Sequence, residues 1–305
     1  MIYTITFAPC LDYVINSPKE FNQNGLNRIS DFDFFPGGKG INASVILKRL
    51  GLNNTAIIFA GGEIGNKIIS QLKAEKIKTI NIKTDAETRV NVKFLGKNAE
   101  FEINGPRPVI NEQNLNEYFT TIKQMKKDDF VFIMGISDEN VLTETLNLLK
   151  EKGIRFALDI DAKNIDKYLE FAPYIYKPNI HETKNFLIKI PETNEEIKNA
   201  LLYLKAKKVH FPIISAGAKG SYYLDENNNL LQATIVKNAP LVSAVGAGDT
   251  LIASVFYFLS KNYNIKDVIS HASAMSIGTV TRKWLAQKND INTYLDHIKV
   301  VKIKK

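Results

Sequence analysis

Hydrophobic positions along the chain alternate between short β-like runs and longer stretches with a helical repeat. "MIYTITFA" opens as a strand, and "TAIIFAGG", residues 55 to 62, reads as a buried strand ending in glycines. Between them "INASVILKRLG" sets Ile41, Val45 and Leu47 on a helical face and stops at Gly51, a natural position for the left-handed residue that closes a helix. "NKIISQLKAEK" repeats the helical pattern. "DFVFIMG", "IRFALDI", "YIYKPN" and "FPIIS" are further strand candidates, each separated from the next by helical sequence. This alternation predicts an α/β fold with a mostly parallel central sheet covered by helices.

One segment breaks the rhythm. In "TRVNVKFLGKNAEFEING", residues 88 to 105, Val90, Val92 and Phe94 alternate with Arg89, Asn91 and Lys93, and "GKNA" in the middle predicts a hairpin turn. A similar strand-like pattern runs from about residue 12 to 35. The two insertions predict a small separate sheet beside the main body, placed to act as a lid that excludes water. With no internal repeat and no low-complexity linker, residues 1 to 305 read as a single domain.

Composition narrows the field. No apolar run reaches the ~18–20 residues that span a bilayer, and the opening residues, which meet Asp12 without a basic stretch, read as a strand and not as a signal peptide. One cysteine, Cys10, suits a reducing cytoplasm and leaves no internal disulfide. His181, His210, His271 and His297 are scattered, with no zinc-ligand spacing. The net charge of +8 comes mainly from lysines on the polar faces of amphipathic segments, with a small cluster at "KVVKIKK". It lacks the interleaved aromatics of a single-strand-binding groove, so the expected partners are small anions rather than nucleic acid or membrane.

Glycine turns carry the candidate chemistry. In "SAVGAGDTLIAS", residues 243 to 254, Gly246 and Gly248 bare the backbone at a helix start, with Asp249 beside them. Unpaired N–H groups and the positive end of the helix dipole attract anions there. Asp249 is itself an anion, so it either caps the helix or works beside a bound phosphate. A first cluster, "FFPGGKGINAS", contains G-x-G-x-x-A from Gly38, with Glu63 at the distance a dinucleotide fold would ask. Pro36 interrupts the approach to it, and a strand has already passed, which disfavours a nicotinamide or flavin site. "SAGAKG", residues 215 to 220, is a third glycine turn at a strand end, where ligands collect in α/β folds. There is no Walker P-loop and no protein-kinase signature.

"PGGKGINAS" and "VGAGDT" resemble the two glycine signatures of the phosphofructokinase B (ribokinase-like) carbohydrate kinases. "TRVNVK", "EINGP", "KPNIHE", "SAGAKGSYY" and "AMSIGTV" follow in that family's order, over nearly the whole chain. The wording of "GGKGIN", "TRVN" and "EINGP" is similar to the branch of 1-phosphofructokinase and tagatose-6-phosphate kinase. The resemblance implies a ribokinase-like three-layer α/β/α fold with a β-sheet lid, and transfer of the ATP γ-phosphoryl group to a sugar hydroxyl with Mg2+. It makes Asp249 the base and Gly246, Ala247 and Gly248 the backbone anion hole, a chemically sufficient pair for phosphoryl transfer. It puts the acceptor sugar on Asp12, Gly38, Asn42 and Asn91, with Lys39 and Arg89 as the cations for its phosphate. Ser215, Ala216, Gly217, Ala218, Lys219, Gly220, Gly248 and Asn179 would border ATP, and Glu182 would act indirectly on the metal. The expected reaction is fructose 1-phosphate to fructose 1,6-bisphosphate. Tagatose-6-phosphate kinase is the alternative, and a catalytically silent sugar-phosphate sensor on the same fold is a further one. A homodimer through the lid is the assembly the resemblance suggests. Three places depart from the family's wording: Ala244 stands where a Thr or Ser is common, "MGISDEN" replaces a Ser-Gly-Ser-Leu-Pro stretch, and "LDIDAKN" replaces Leu-Asp-Thr-Ser-Gly.

Overall fold

Successive side chains of a strand point to opposite faces, and the run from Ala56 to Ala60 is apolar on both. Ala56, Ile58 and Ala60 pack into one core, whereas Ile57 and Phe59 pack into another. A strand buried on both faces belongs in a parallel sheet with helices on either side. The computed structural model, which describes residues 1–17, 20–97 and 100–303, contains such a sheet.

Among the described residues the strands are β1 (Ile2–Thr6), β2 (Cys10–Ser17), β3 (Phe32–Gly37), β4 (Thr55–Ala60), β5 (Lys78–Lys83), β6 (Arg89–Gly96), β7 (Glu100–Asn104) and β8 (Phe130–Met134). They continue as β9 (Arg155–Asp159), β10 (Ile175–Tyr176), β11 (Phe211–Pro212), β12 (Ile214–Ser215), β13 (Ser221–Leu224), β14 (Leu230–Ile235) and β15 (Ile298–Lys302). The helices are α1 (Lys39–Leu50), α2 (Gly62–Ala74), α3 (Glu112–Lys123), α4 (Glu139–Lys152), α5 (Asp166–Leu169), α6 (Asn194–Ala206), α7 (Ala247–Ser260), α8 (Ile265–Val280) and α9 (Asp290–Tyr294).

The central sheet has seven parallel strands in the order β11-β10-β9-β8-β1-β4-β5. Ile41 and Val45 of α1, Ile252 and Val255 of α7 and Ile269 of α8 cover one face. Tyr118 and Ile122 of α3, Leu146 and Leu149 of α4 and Tyr168 of α5 cover the other. These are the three expected layers. From β1 the chain builds outward through β4 to β5 and then returns to β8 on the other side, so β1 is the switch point. Ligands bind outside the carboxyl ends of strands at such a point.

The two insertions expected to form a lid build a second sheet, ordered β3-β2-β6-β7. β2 runs antiparallel to β3 and parallel to β6, and β6 runs antiparallel to β7. The expected hairpin is therefore present as β6 and β7, while Asn98 and Ala99 of its "GKNA" turn lie outside the described residues, as do Lys304 and Lys305 of the basic tail. The earlier insertion is strand only over β2 and β3, with no strand assigned to the described residues from Glu20 to Asp31.

Sequence patterning did not foresee the third sheet, the antiparallel β12-β13-β14-β15. "FPIIS", expected as one strand, is split between two sheets. β11 is the edge of the central sheet and pairs with β10, Ile213 donates its N–H to the Tyr176 carbonyl at 3.0 Å, and β12 then joins β13. Pro212 lacks a ladder donor, which fits an edge strand about to leave its sheet.

Candidate active site

A cavity of about 1090 Å³ opens at the carboxyl ends of β1, β8 and β9 and extends under the lid. One wall is the start of α7. Gly246 holds φ 79° there, and a Cβ would come within 2.7 Å of Leu285 Cδ2, so the turn needs glycine. The Ala247 N–H makes a long 3.3 Å bond to the Ala244 carbonyl. Among the described residues no acceptor takes the N–H of Gly246 or Gly248. Both line the cavity, and free N–H groups at the positive end of a helix dipole make a wall favourable to anions.

Asp249, in the first turn of α7, is buried and accepts a hydrogen bond from Asn42 Nδ2 at 2.8 Å. Burial first, and then the charge of Asp159, push its carboxyl up to about 6 against the opposing pull of Lys39, Asn42 and Lys177. Capping is not its role, because the N-cap is Gly246 and no side chain bonds there.

Asp159, at the end of β9, bridges two lysines. Lys39 Nζ is 2.9 Å from Oδ1 and Lys177 Nζ is 3.3 Å from Oδ2. Burial opposes ionisation of Asp159, but Lys177 and Lys39 hold its carboxyl below the ordinary value. Burial also works against the Lys39 charge, yet Asp159 and Asp249 together raise its pKa. A Cβ on Gly248 would lie 3.2 Å from Lys177 Nζ, so the ammonium sits against the glycine turn. Lys39 and Arg89, expected as twin phosphate cations, are thus differently engaged: Lys39 turns to Asp159, and Arg89 contacts no carboxylate among the described residues.

Under the lid, register pairs Cys10 with Arg89 and Asp12 with Asn91, so one pleat face of β2 and β6 presents them together. Lys93 Nζ pairs with Asp12 Oδ2 at 2.8 Å, and Asn91 Nδ2 and Cys10 Sγ each donate to Oδ1 at 3.3 Å. The Cys10 thiol is pushed up, by burial and then by Asp12, and stays protonated. Gly37 leaves room for this cluster, since a Cβ there would be 2.5 Å from Asp12 Oδ2. Arg89 donates Nη2 to the Ala8 carbonyl at 3.0 Å and Nη1 to the Gly105 carbonyl at 3.2 Å. Two neutral acceptors fix its plane and leave its charge uncompensated. Gly38 lines the same cavity, and Gly40 lets α1 approach β1, where a Cβ would be 2.3 Å from the Ile5 carbonyl oxygen. The glycine cluster follows β3, a lid strand, and not a strand of the central sheet, which removes the dinucleotide context.

At the far end Ser215, Gly217, Ala218 and Gly220 line the cavity, whereas Ala216 and Lys219 do not. Lys219 is exposed, and its carbonyl accepts from Gln232 Nε2. Gly220 is obligatory: a Cβ would fall 1.8 Å from the Ala233 carbonyl oxygen. Asn179 Oδ1 accepts from the N–H groups of His181 and Glu182, and Glu182 Oε2 accepts the Asn179 N–H at 2.7 Å. Glu182 Oε1 has no protein partner among the described residues, and burial, then Asp159, raise this carboxyl above its ordinary value despite the backbone bond. No cluster of three metal-ligating side chains exists among the described residues. One free carboxylate oxygen suits a magnesium ion that arrives with nucleotide phosphates and keeps its waters, not a resident metal.

Sequence reasoning missed Asp159, Lys177, Lys93 and Arg107, all of which line the cavity. Lys93 was legible from its alternation with Arg89 and Asn91. Asp159 and Lys177 had no local signal, because only the sheet brings the ends of β9 and β10 together.

A model of the pfkB family of carbohydrate kinases matches residues 5–291. The chain is 32% identical to the 1-phosphofructokinase of Borreliella burgdorferi, over 98% of each chain. It is 31% identical to the D-tagatose-1-phosphate kinase of Bacillus licheniformis, over 98% of this chain and 99% of that one. Phosphofructokinase-2 from Escherichia coli, solved with substrates and products, superposes with a TM-score of 0.88 at 22% identity over 97% of this chain and 98% of that one, a likeness of fold. Among the described residues no helix is long and apolar enough to cross a membrane.

Proposed function

The chain belongs to the pfkB family of carbohydrate kinases, and on that premise we propose that it phosphorylates a ketohexose phosphate with ATP, converting fructose 1-phosphate to fructose 1,6-bisphosphate. As a family member it is a phosphotransferase with a hydroxyl acceptor. The observation that carries the substrate reading is the polarity of the cavity. It has a carboxylate base at the start of α7 and an uncompensated guanidinium, Arg89, under the lid.

In the proposed reaction Asp249, ionised at neutral pH, accepts the proton of the acceptor hydroxyl. That oxygen forms the new bond to the γ-phosphorus, the bond from phosphorus to the ADP oxygen breaks, and the proton leaves later to solvent. Asn42 aims the carboxylate, and the N–H groups of Gly246 and Gly248, with Lys177 beside them, stabilise charge on the transferring group. Magnesium, carried in with the nucleotide, would neutralise phosphate charge, and Glu182 is the carboxylate offered to it. Asp12 binds sugar hydroxyls while Arg89 holds the phosphate remote from Asp249.

The D-tagatose-1-phosphate kinase relative and the tagatose-6-phosphate kinase of Staphylococcus epidermidis make tagatose phosphates the second reading. Release of ADP against fructose 1-phosphate, both tagatose phosphates and unphosphorylated fructose tests the assignment. Binding without ADP release would favour a sensor.

The lid also supports a homodimer. Its inner face is polar, but the other pleat face carries Phe32, Val90 and Ile103, all exposed. A second copy of that face is a fitting cover. Light scattering would measure the assembly, and a Val90→Glu, Ile103→Glu double variant should be monomeric.

A further inference from the structure

Three cations besides Lys39 and Lys177 line the cavity near the lid: Arg89, Lys93 and Arg107. Lys93 is committed to Asp12 at 2.8 Å. Arg89 is fixed by two carbonyls. Arg107 is exposed at the rim and pairs with no carboxylate among the described residues, so its charge too is uncompensated.

The segment that carries Arg107 is tied to the acceptor end of the site. Gly105, two residues before it, accepts Arg89 Nη1 on its carbonyl and donates its N–H to Asn91 Oδ1 at 3.1 Å. Gly105 approaches β6 so closely that a Cβ would be 2.7 Å from the Val90 carbonyl oxygen. Pro106 and Pro108 then flank Arg107. A proline before it and a proline after it restrict the backbone on both sides, so the side chain projects from a stiff mount. A charged arginine held this way loses little backbone freedom when it binds an anion, and its planar fork matches a phosphate.

We propose that Arg107 is a specificity-determining residue that grips the phosphate of the acceptor sugar from the rim, opposite the inner grip of Arg89. This rests on the sugar-phosphate reading given above. The rim grip predicts that selection for a phosphorylated acceptor is shared between a buried and an exposed arginine. The exposed one sets capture from solution and is the more sensitive to salt.

The test is steady-state ADP release by wild type, Arg107→Ala and Arg107→Lys with fructose 1-phosphate and with fructose. Arg107→Ala should raise KM for fructose 1-phosphate about tenfold, with kcat changed less than about threefold and KM for ATP unmoved. The preference for fructose 1-phosphate over fructose should fall by about the same factor, and Arg107→Lys should restore part of it. The KM of the alanine variant should also depend less on ionic strength than that of wild type. An unchanged KM for fructose 1-phosphate, or equal losses on both sugars, overturns the role of Arg107 while the function stands, provided wild type prefers the phosphorylated sugar. If wild type itself prefers fructose, both the function and the rim grip fall.

Discussion

Asn42 Nδ2 donates to Asp249 Oδ2 at 2.8 Å, across 207 residues of sequence. This bond joins the two glycine signatures: the first supplies the donor at the start of α1, and the second supplies the accepting carboxylate at the start of α7. Its consequences for activity, pH response and stability are separable by experiment.

Asp249→Asn should fold and bind ATP but lose ~10²–10⁴-fold in kcat, the usual contribution of a general base. Wild-type turnover in the purified variant would remove Asp249 from the chemistry.

The same substitution should stabilise the protein at neutral pH. Folding raises the Asp249 carboxyl from 3.8 to about 6. Its contribution is therefore most favourable below about pH 3.8 and is lost as pH rises through about 6, leaving a charged group that destabilises the fold by up to ~3 kcal/mol at pH 7. Asparagine carries no such charge and can still accept from Asn42. Thermal melts of both proteins at pH 7 and pH 4 should show a gain that shrinks toward the lower pH.

In kcat/KM the same group should give an acid limb, with activity falling as pH drops through about 6 and Asp249 gains its proton. Asp159 raises that value, whereas Lys39 and Lys177, which it holds, lower it. Asp159→Asn should therefore move the limb to lower pH. A limb that stays in place would mean that another group titrates there.

Arg89→Ala should lower kcat/KM for the sugar phosphate at least ~10-fold and leave ATP affinity nearly unchanged, because a hydrogen bond to a charged group contributes roughly 1.5–3 kcal/mol. Equal losses with fructose and its phosphate would mean that Arg89 does not read the phosphate.

Amide exchange of β6 should slow on adding fructose 1-phosphate and change less with ATP alone, since Arg89 and Asn91 belong to that strand. Equal protection with and without the sugar would exclude a lid driven by the acceptor.

Much of this was legible in the sequence because it is local. A helix that ends in a left-handed glycine at Gly51, with φ 103°, needs no tertiary information, nor does the alternation that places Arg89, Asn91 and Lys93 on one face. The bridge of Lys39 and Lys177 on Asp159 was not legible, because each residue alone is an ordinary charge and only strand order assembles them. The break in "FPIIS" was hidden for a similar reason. Ile213 and Ile214 are equally apolar, yet one bonds back to Tyr176 in the central sheet and the other pairs with Tyr222 in a different one. Lys219 misled because its glycine neighbours do line the cavity while its own exposed side chain does not.

The cavity draws on distant parts of the chain that cannot be altered independently. Cavity residues up to Arg107 come from the end of β1, the second sheet and the start of α1, Met134, Gly135 and Asp159 come from the ends of β8 and β9, and those from Lys177 onward lie around the α7 turn and the third sheet. Asn42 to Asp249 and Lys39 to Asp159 tie these parts together, and α1 packs along α7 in one core. A change in the first third of the chain is therefore felt at Asp249 and Asp159 as well as under the second sheet. Exchange of the chain before residue 110 would replace not only the second sheet but β1, β4 and β5 of the central sheet and the two partners Lys39 and Asn42.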